Sequence, residues 1–161
     1  MKIVVLLSRF PYPLEKGDKL RAYHQLRELA ENHELIVCAL TDQKLQSEWI
    51  TAIESFTTEL HVFKLKKLLI YWNTLKQVFS NNPYQTGYFY QRGIHKKIKQ
   101  IILKHQPDHL YCQLIRTTEY VKDIHTIPKT LDYMDALSKG MYRRAEISGG
   151  IRKKLFLIEG R

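Results

Sequence analysis

The chain has 161 residues, of which 44% are hydrophobic and 26% charged, a composition that indicates one folded domain and excludes a disordered or fibrous chain. Its net charge is +10, and no run of about 18 apolar residues is present to span a bilayer. The apolar run Ile3–Leu7 is too short for a signal peptide. Cys38 and Cys112 match no zinc or Cys-x-x-Cys spacing, so we expect buried free thiols and a reducing, cytoplasmic compartment.

Apolar runs rich in β-branched residues predict five strands of a parallel sheet. These runs are Lys2–Ser8, Glu34–Thr41, Glu59–Leu65, His109–Gln113 and Lys129–Met134. The segments between and after them predict helices over Asp18–Asn32, with Asp18 as the cap, and over Ser47–Phe56, Lys66–Phe79, Ile94–His105, Thr117–Asp123 and Ser138–Arg161. The alternation predicts a single doubly wound α/β domain over residues 1–161, with helices on both faces and strand order 3-2-1-4-5.

The positive charge is concentrated in one stretch of the chain. Residues Leu60 to Pro107 contain nine Lys and Arg side chains and no Asp or Glu. This distribution predicts that one surface meets an anionic partner, whether lipid head groups, nucleic acid or a phosphorylated ligand.

The helix predicted over 66–79 carries a wide apolar stripe with Trp72 and a wholly basic polar face. This pattern favours an interfacial membrane helix over a purely core helix. The candidate membrane-binding residues are Lys66, Lys67, Trp72, Lys96 and Lys97. Nucleic acid is the competing partner, with Tyr84, Tyr88, Phe89 and Tyr90 as stacking platforms. We rank it lower because these aromatic residues lie in a predicted loop, without the strand framework that such platforms normally have.

Ligands of doubly wound sheets bind at the carboxyl ends of the strands. The segments predicted there are Arg9–Lys19, Gln113–Arg116 and Tyr133–Ser138. Gly17 would let a phosphate approach the backbone at a helix N-terminus, although a glycine required only by the turn fits equally well. Of the two acids near the last strand, we expect Asp135 to face the cleft and Asp132 to have a packing role.

The sequence contains no nucleotide-binding glycine motif and no metal-ligand pattern. Neither G-x-G-x-x-G nor a Walker A sequence is present. His61, His95, His105 and His125 show no ligand spacing with one another, so no metal site is expected. We find no Ser/His/Asp or Cys/His set that would predict nucleophilic catalysis.

Several segments resemble the start of bacterial family-4-type glycosyltransferases, which have the two-domain GT-B fold. The most specific are the Pro-Tyr-Pro of residues 11–13 and the Lys-Gly-Asp-Lys of residues 16–19; residues 24–30, 131–136 and 157–161 add to the likeness. The similarity spans almost the whole chain and is loose in the middle. It implies that the chain is the N-terminal, Rossmann-like acceptor domain, inactive by itself. Residues 138–161 would then lead towards a C-terminal domain that binds the nucleotide sugar.

The resemblance also implies an activity and a set of site residues. The activity is transfer of a sugar from a nucleotide sugar to a lipid-linked or polysaccharide acceptor, with retention of configuration and with no metal or other cofactor. The expected donor-diphosphate contacts are Lys16, Gly17 and Lys19; the expected acceptor contacts are Arg9, Arg21, Gln113 and Arg116; the catalytic candidate is Asp135. Gln113 stands where relatives often carry a histidine. Pairing of the three arginines with surface carboxylates is the alternative to a ligand role.

Two classes of function therefore follow from the sequence. The first is the transferase domain, peripheral on the inner face of the membrane. The second is a non-catalytic basic α/β module that docks on membrane or nucleic acid.

Overall fold

The computed structural model describes residues 1–70, 72, 88–133 and 137–159. Its centre is an all-parallel sheet of five strands: β1 Lys2–Leu7, β2 Glu34–Thr41, β3 Glu59–Lys64, β4 His109–Gln113 and β5 Lys129–Asp132. The order is β3-β2-β1-β4-β5. The predicted strand order is thus confirmed, and so is the α/β class with a Rossmann-like three-layer arrangement.

The helices cover both faces of this sheet. They are α1 Gly17–Ala30, α2 Ser47–Glu54, α3 Arg92–His105, a 3-10 helix Ile115–Tyr120, α4 Leu137–Glu146 and α5 Gly150–Glu159. Alternate residues of β1 and β2 point to opposite faces, as the pleat requires. One face packs with α1 and α2 through Leu26 and Ile53, and the other packs with α3 and the 3-10 helix through Ile98 and Tyr120.

Cys38 and Cys112 lie in the layer between the sheet and α3, and both are free and buried, as predicted. Burial, with a smaller effect of the Glu59 charge, raises the pKa of Cys38 to about 12. Burial raises the pKa of Cys112 to about 11. Both thiols are therefore protonated at neutral pH and chemically quiet.

Several predicted helix boundaries are wrong. The single helix predicted over Ser138–Arg161 is two helices, α4 and α5, separated at residues 147–149. Helix α1 begins at Gly17 and its cap position is Lys16, so Asp18 lies in the first turn instead of capping it. The Asp18 carboxylate accepts hydrogen bonds from the Lys19 N–H at 3.1 Å and from Arg9 at 3.1 Å. The helix predicted over Thr117–Asp123 is a 3-10 helix that begins at Ile115 and ends at Tyr120.

Residues 67–70 begin the predicted basic helix and are helical. Leu65 and Ile70 are buried in the core, whereas Leu68 and Trp72 are 76% and 62% exposed. Apart from Trp72, the remainder of the predicted helix lies outside the described residues. Among the described helices, none is long and apolar enough to cross a bilayer.

Candidate functional site

A basic cleft of about 450 Å³ opens at the carboxyl edge of the sheet. Its walls are the loops after β1 and β2, the start of the segment after β3, and the 3-10 helix after β4. This is the edge at which doubly wound sheets bind ligands, and the size lies within the range of small-molecule sites. Its lining includes Ser8, Arg9, Lys16, Lys19, Phe89 and Arg116.

Four cations line the cleft: Arg9, Lys16, Lys19 and Arg116. The only carboxylate among its lining residues in the described part of the chain is Asp42. The Lys19 ammonium donates to the Tyr12 carbonyl at 3.2 Å. Burial lowers the pKa of Lys19 below its usual value, and the charge of Lys16 adds to the effect. The four cations that line the cleft favour an anionic ligand.

Arg9 is partly neutralised by a neighbour on α1. Its guanidinium donates to the Asp18 carboxylate at 3.1 Å, with side-chain exposures of 42% and 22%. Pairing with a surface carboxylate is the alternative to a ligand role that the sequence left open for this arginine. A half-exposed pair of this kind contributes little stability and leaves other guanidinium N–H groups directed elsewhere.

Aromatic residues form one wall of the cleft. The Arg116 guanidinium lies 5.1 Å from the centre of the Phe89 ring, within cation–π range. The buried Tyr120 hydroxyl accepts from the Gln91 N–H at 3.0 Å and donates to the Phe89 carbonyl at 2.6 Å. Tyr120 thereby fixes the backbone that presents Phe89, and Phe89 in turn orients Arg116.

Ser8 places an unsatisfied hydroxyl at the cleft. It directly follows β1, is 1% exposed, and its Oγ has no hydrogen-bond partner among the described residues. A buried hydroxyl without a partner carries a desolvation cost of about 1 to 3 kcal/mol. Ser8 belongs to the lining of the cleft.

The N-terminus of α1 reaches the cleft through Lys16 and Lys19. Lys16 makes no side-chain capping bond, and helix geometry leaves the Gly17 and Asp18 N–H groups without an intrahelical acceptor. A Cβ built on Gly17 meets nothing within 4 Å, and Gly17 does not have a positive φ. Neither packing nor a left-handed turn therefore requires a glycine here.

The chain leaves β4 through a strained residue. Leu114 has φ 65° and ψ 151°, a region that is essentially restricted to glycine, yet its side chain is buried. Strain of this kind costs about 1 to 3 kcal/mol and concentrates at functional sites. The irregular backbone carries the chain from Gln113 into the 3-10 helix that bears Arg116.

Gly17, Gln113 and Arg21 lie outside the cleft lining. Gln113 is buried, and its amide donates to the Asp18 carbonyl at 3.2 Å, which connects the end of β4 to α1. Arg21 donates to Asp132 at 3.0 Å, and Gln25 and Tyr111 bond the other oxygen of that carboxylate at 3.2 and 2.9 Å. Asp132 thus has the packing role expected of it, while the acceptor roles of Arg21 and Gln113 stay predictions.

The other predicted site residues divide into two groups. Asp135, the catalytic candidate, lies outside the described residues. The five candidate membrane residues, Lys66, Lys67, Trp72, Lys96 and Lys97, are all exposed.

A further cluster was missed by the sequence analysis. His61 and His105 show no ligand spacing in sequence. The fold brings both of them together with Glu59, at the amino ends of the strands and away from the cleft. The spacing of Glu59 and His61 places both on one face of β3, but no sequence signal brings His105 to them. Ser8 and Leu114 were also missed, because their burial and strain arise only from the tertiary fold.

Neither protein-family models nor curated protein sequences give a match to this chain.

Proposed function

We propose that this chain is the acceptor-side domain of a two-domain glycosyltransferase that moves a sugar from a nucleotide sugar to a lipid-linked or polysaccharide acceptor. In this proposal the nucleotide sugar is held chiefly by a second α/β domain. The cleft of the present chain contacts the diphosphate of the donor and binds the acceptor. The proposed location is peripheral, on the inner face of the membrane.

The observation that carries the proposal is the composition of the basic cleft. Four cations, an α1 N-terminus without a side-chain cap and the unpartnered Ser8 hydroxyl come together at the carboxyl edge of the sheet. Each of these groups favours phosphate oxygens. The resemblance of residues 11–13 and 16–19 to glycosyltransferases supplies the substrate class.

Sugar transfer places its main electrostatic demand on the leaving diphosphate. An acceptor hydroxyl oxygen forms the new bond to the anomeric carbon and gives up its proton, while the bond from that carbon to the phosphate oxygen breaks and negative charge develops on the leaving diphosphate. Lys16, Lys19 and the free N–H groups at the start of α1 are placed to stabilise this charge, because fixed donors need no reorganisation during the reaction. Arg116, braced on Phe89, is placed at the other side of the cleft for a phosphorylated acceptor.

The exposed apolar residues next to the basic stretch support a membrane-bound acceptor. Leu68, Leu69 and Trp72 are 76%, 41% and 62% exposed, beside the exposed Lys66 and Lys67. Exposed leucine and tryptophan next to lysine is the pattern of a segment that rests in the head-group region. An acceptor carried on a lipid would then be presented close to the cleft.

The same surface favours a second candidate, a non-catalytic basic α/β module that docks on anionic membranes. This candidate uses Lys66, Lys67 and Trp72 and assigns no ligand to the cleft. The two candidates differ in one observable, because only the transferase requires the cleft cations for its activity.

The test is transfer of a radiolabelled sugar from UDP-, GDP- and dTDP-sugars into membrane lipid or polysaccharide, using this chain joined to its donor domain. We expect incorporation from at least one donor. The double variant Lys16→Gln/Arg116→Gln should lower it more than tenfold, whereas Lys99→Gln, an exposed control on α3, should leave it unchanged. The 161-residue chain alone should show no turnover. Absence of incorporation from every donor, or turnover by the chain alone, would contradict the proposal.

A further inference from the structure

A second polar cluster lies away from the cleft, between the edge strand β3 and the end of α3. Glu59 and His61 are two residues apart on β3 and therefore share one face of it. His105 is the last residue of α3. Its Nε2 lies 2.8 Å from one carboxylate oxygen of Glu59, and the Nε2 of His61 lies 3.0 Å from the other.

Both contacts are within ion-pair distance, but neither has the alignment of a hydrogen bond. The Nε2 atoms of both histidines are buried, and neither has a hydrogen-bond partner of acceptable geometry among the described residues. A proton shared between nitrogen and oxygen requires alignment along the N···O line. A metal ion also binds along the imidazole lone pair, but it need not lie on the N···O line, so nitrogens misaligned for a hydrogen bond to Glu59 can still coordinate it. One bound ion would therefore satisfy both buried nitrogens at once.

The separations suit a first-row divalent metal. One ligand atom from each of the three residues lies within 4.8 Å of the other two. Zinc ligands at about 2.0 to 2.1 Å in tetrahedral geometry are about 3.3 Å apart, so modest side-chain rotation converts the observed cluster into a coordination shell. Two imidazoles and one carboxylate suit zinc and exclude calcium or magnesium as the preferred ion, since those ions select oxygen ligands.

The charges around the cluster are compatible with a cation. The Glu59 carboxylate supplies negative charge, and the buried Nε2 atoms of His61 and His105 face it at 3.0 and 2.8 Å. Lys104, 3.4 Å from Glu59, is the one competing cation among the described neighbours; its side chain is 66% exposed and free to turn towards solvent.

We propose that Glu59, His61 and His105 bind a zinc ion that fastens the edge strand β3 to the end of α3. Three protein ligands leave a fourth position for water. The site lies at the amino ends of the strands, whereas the cleft lies at their carboxyl ends. It is therefore independent of the proposed sugar transfer. Its effect would be to hold an edge strand whose outer backbone is otherwise open to pairing with another chain.

The test is titration of the EDTA-treated, dialysed protein with zinc chloride, followed by isothermal calorimetry, with cobalt(II) chloride as an absorbing substitute. We expect saturation at one zinc per chain, a zinc-dependent rise in the melting temperature, and the intense visible bands of tetrahedral cobalt(II). Glu59→Gln and His61→Ala should each weaken zinc binding at least tenfold and abolish the rise in melting temperature. His125→Ala, an exposed histidine of the loop before β5, is the matched control and should change neither.

Glu59→Gln keeps the side-chain volume, and circular dichroism would confirm that each variant is folded. Should His61→Ala fail to fold, Glu59→Gln alone decides the outcome. Zinc affinity that is unchanged in Glu59→Gln, or no saturable binding by the unmodified chain, would overturn the proposal.

Discussion

The Gln91 side chain brackets the backbone of Lys66. Its amide oxygen accepts from the Lys66 N–H at 3.3 Å, and its amide nitrogen donates to the Lys66 carbonyl at 3.1 Å. Gln91 is also the cap residue that precedes α3 and is only 3% exposed. One side chain therefore sets where the basic segment leaves the sheet, immediately after the buried Leu65.

Replacing Gln91 by alanine should destabilise the fold. The change removes both bonds to Lys66 and leaves partly buried backbone groups without partners, so we expect a loss of about 1 to 3 kcal/mol in the free energy of unfolding. Urea denaturation measures it. Gln100→Ala, on the exposed side of α3, is the control and should stay within about 0.5 kcal/mol of the unmodified protein. If the two variants have equal urea midpoints, the hydrogen bonds between Gln91 and Lys66 do not stabilise the fold.

The exposed basic and apolar surface should bind anionic membranes. We expect the chain to sediment with vesicles containing anionic lipid and not with neutral ones, because each lysine near such a surface contributes about 1 kcal/mol. Glutamine at Lys66, Lys67, Lys96 and Lys97 together should abolish sedimentation, and high salt should weaken it. A blue shift of tryptophan fluorescence that Trp72→Phe removes would place that side chain in the interface.

If the chain sediments equally with neutral and anionic vesicles, or with neither, the prediction that this surface binds anionic membranes is wrong. Tight, salt-sensitive binding to RNA or DNA in place of vesicles would favour nucleic acid as the partner.

Gly17→Val should preserve folding and weaken phosphate binding. A Cβ at this position meets nothing within 4 Å, and the backbone is not left-handed, so we expect the melting temperature not to fall. A branched side chain at the start of α1 would block close approach of a phosphate to the backbone N–H groups. Pyrophosphate affinity, measured by calorimetry, should drop several-fold, with Gly17→Ala intermediate. Unchanged affinity in the valine variant would remove Gly17 from the site.

The two buried thiols should make stability decline in alkali. In the folded chain the pKa of Cys38 is raised to about 12 and that of Cys112 to about 11, whereas an unfolded thiol titrates near its ordinary value of 9.0. Above that value the unfolded chain releases protons that the folded chain retains, so the free energy of unfolding falls as pH rises. A thiol reagent at pH 8 should label neither cysteine in the native protein and both in guanidinium chloride. Rapid native labelling would contradict their burial.

The sheet could be predicted from sequence because its strands are continuous apolar runs. Val4 and Ile36 belong to continuous apolar runs, which predict strands covered on both faces. Such strands are typical of parallel sheets. Helix ends were less predictable. Asp18 is a favoured cap residue by type, but its carboxylate bonds Arg9 and the Lys19 N–H inside the first turn, and those tertiary and local bonds override the preference.

The candidate site was predictable only in its charged part. Lys16, Lys19 and Arg116 follow strands whose carboxyl ends could be located from sequence. The unpartnered Ser8 hydroxyl and the strain at Leu114 depend on what surrounds them in three dimensions. The contact between His61 and His105 joins residues 44 positions apart in the numbering, which periodicity does not reveal.

The most direct test of the basic cleft as a phosphate site is an NMR titration of the ¹⁵N-labelled chain with pyrophosphate. We expect the largest shifts on the Ser8 amide, the backbone amides of residues 16–19 and the side chain of Arg116. The double variant Lys16→Gln/Arg116→Gln should suppress these shifts, whereas Lys99→Gln should not. Shifts confined to Lys66, Lys67, Lys96 and Lys97, or equal shifts in the double variant and the unmodified chain, would contradict it.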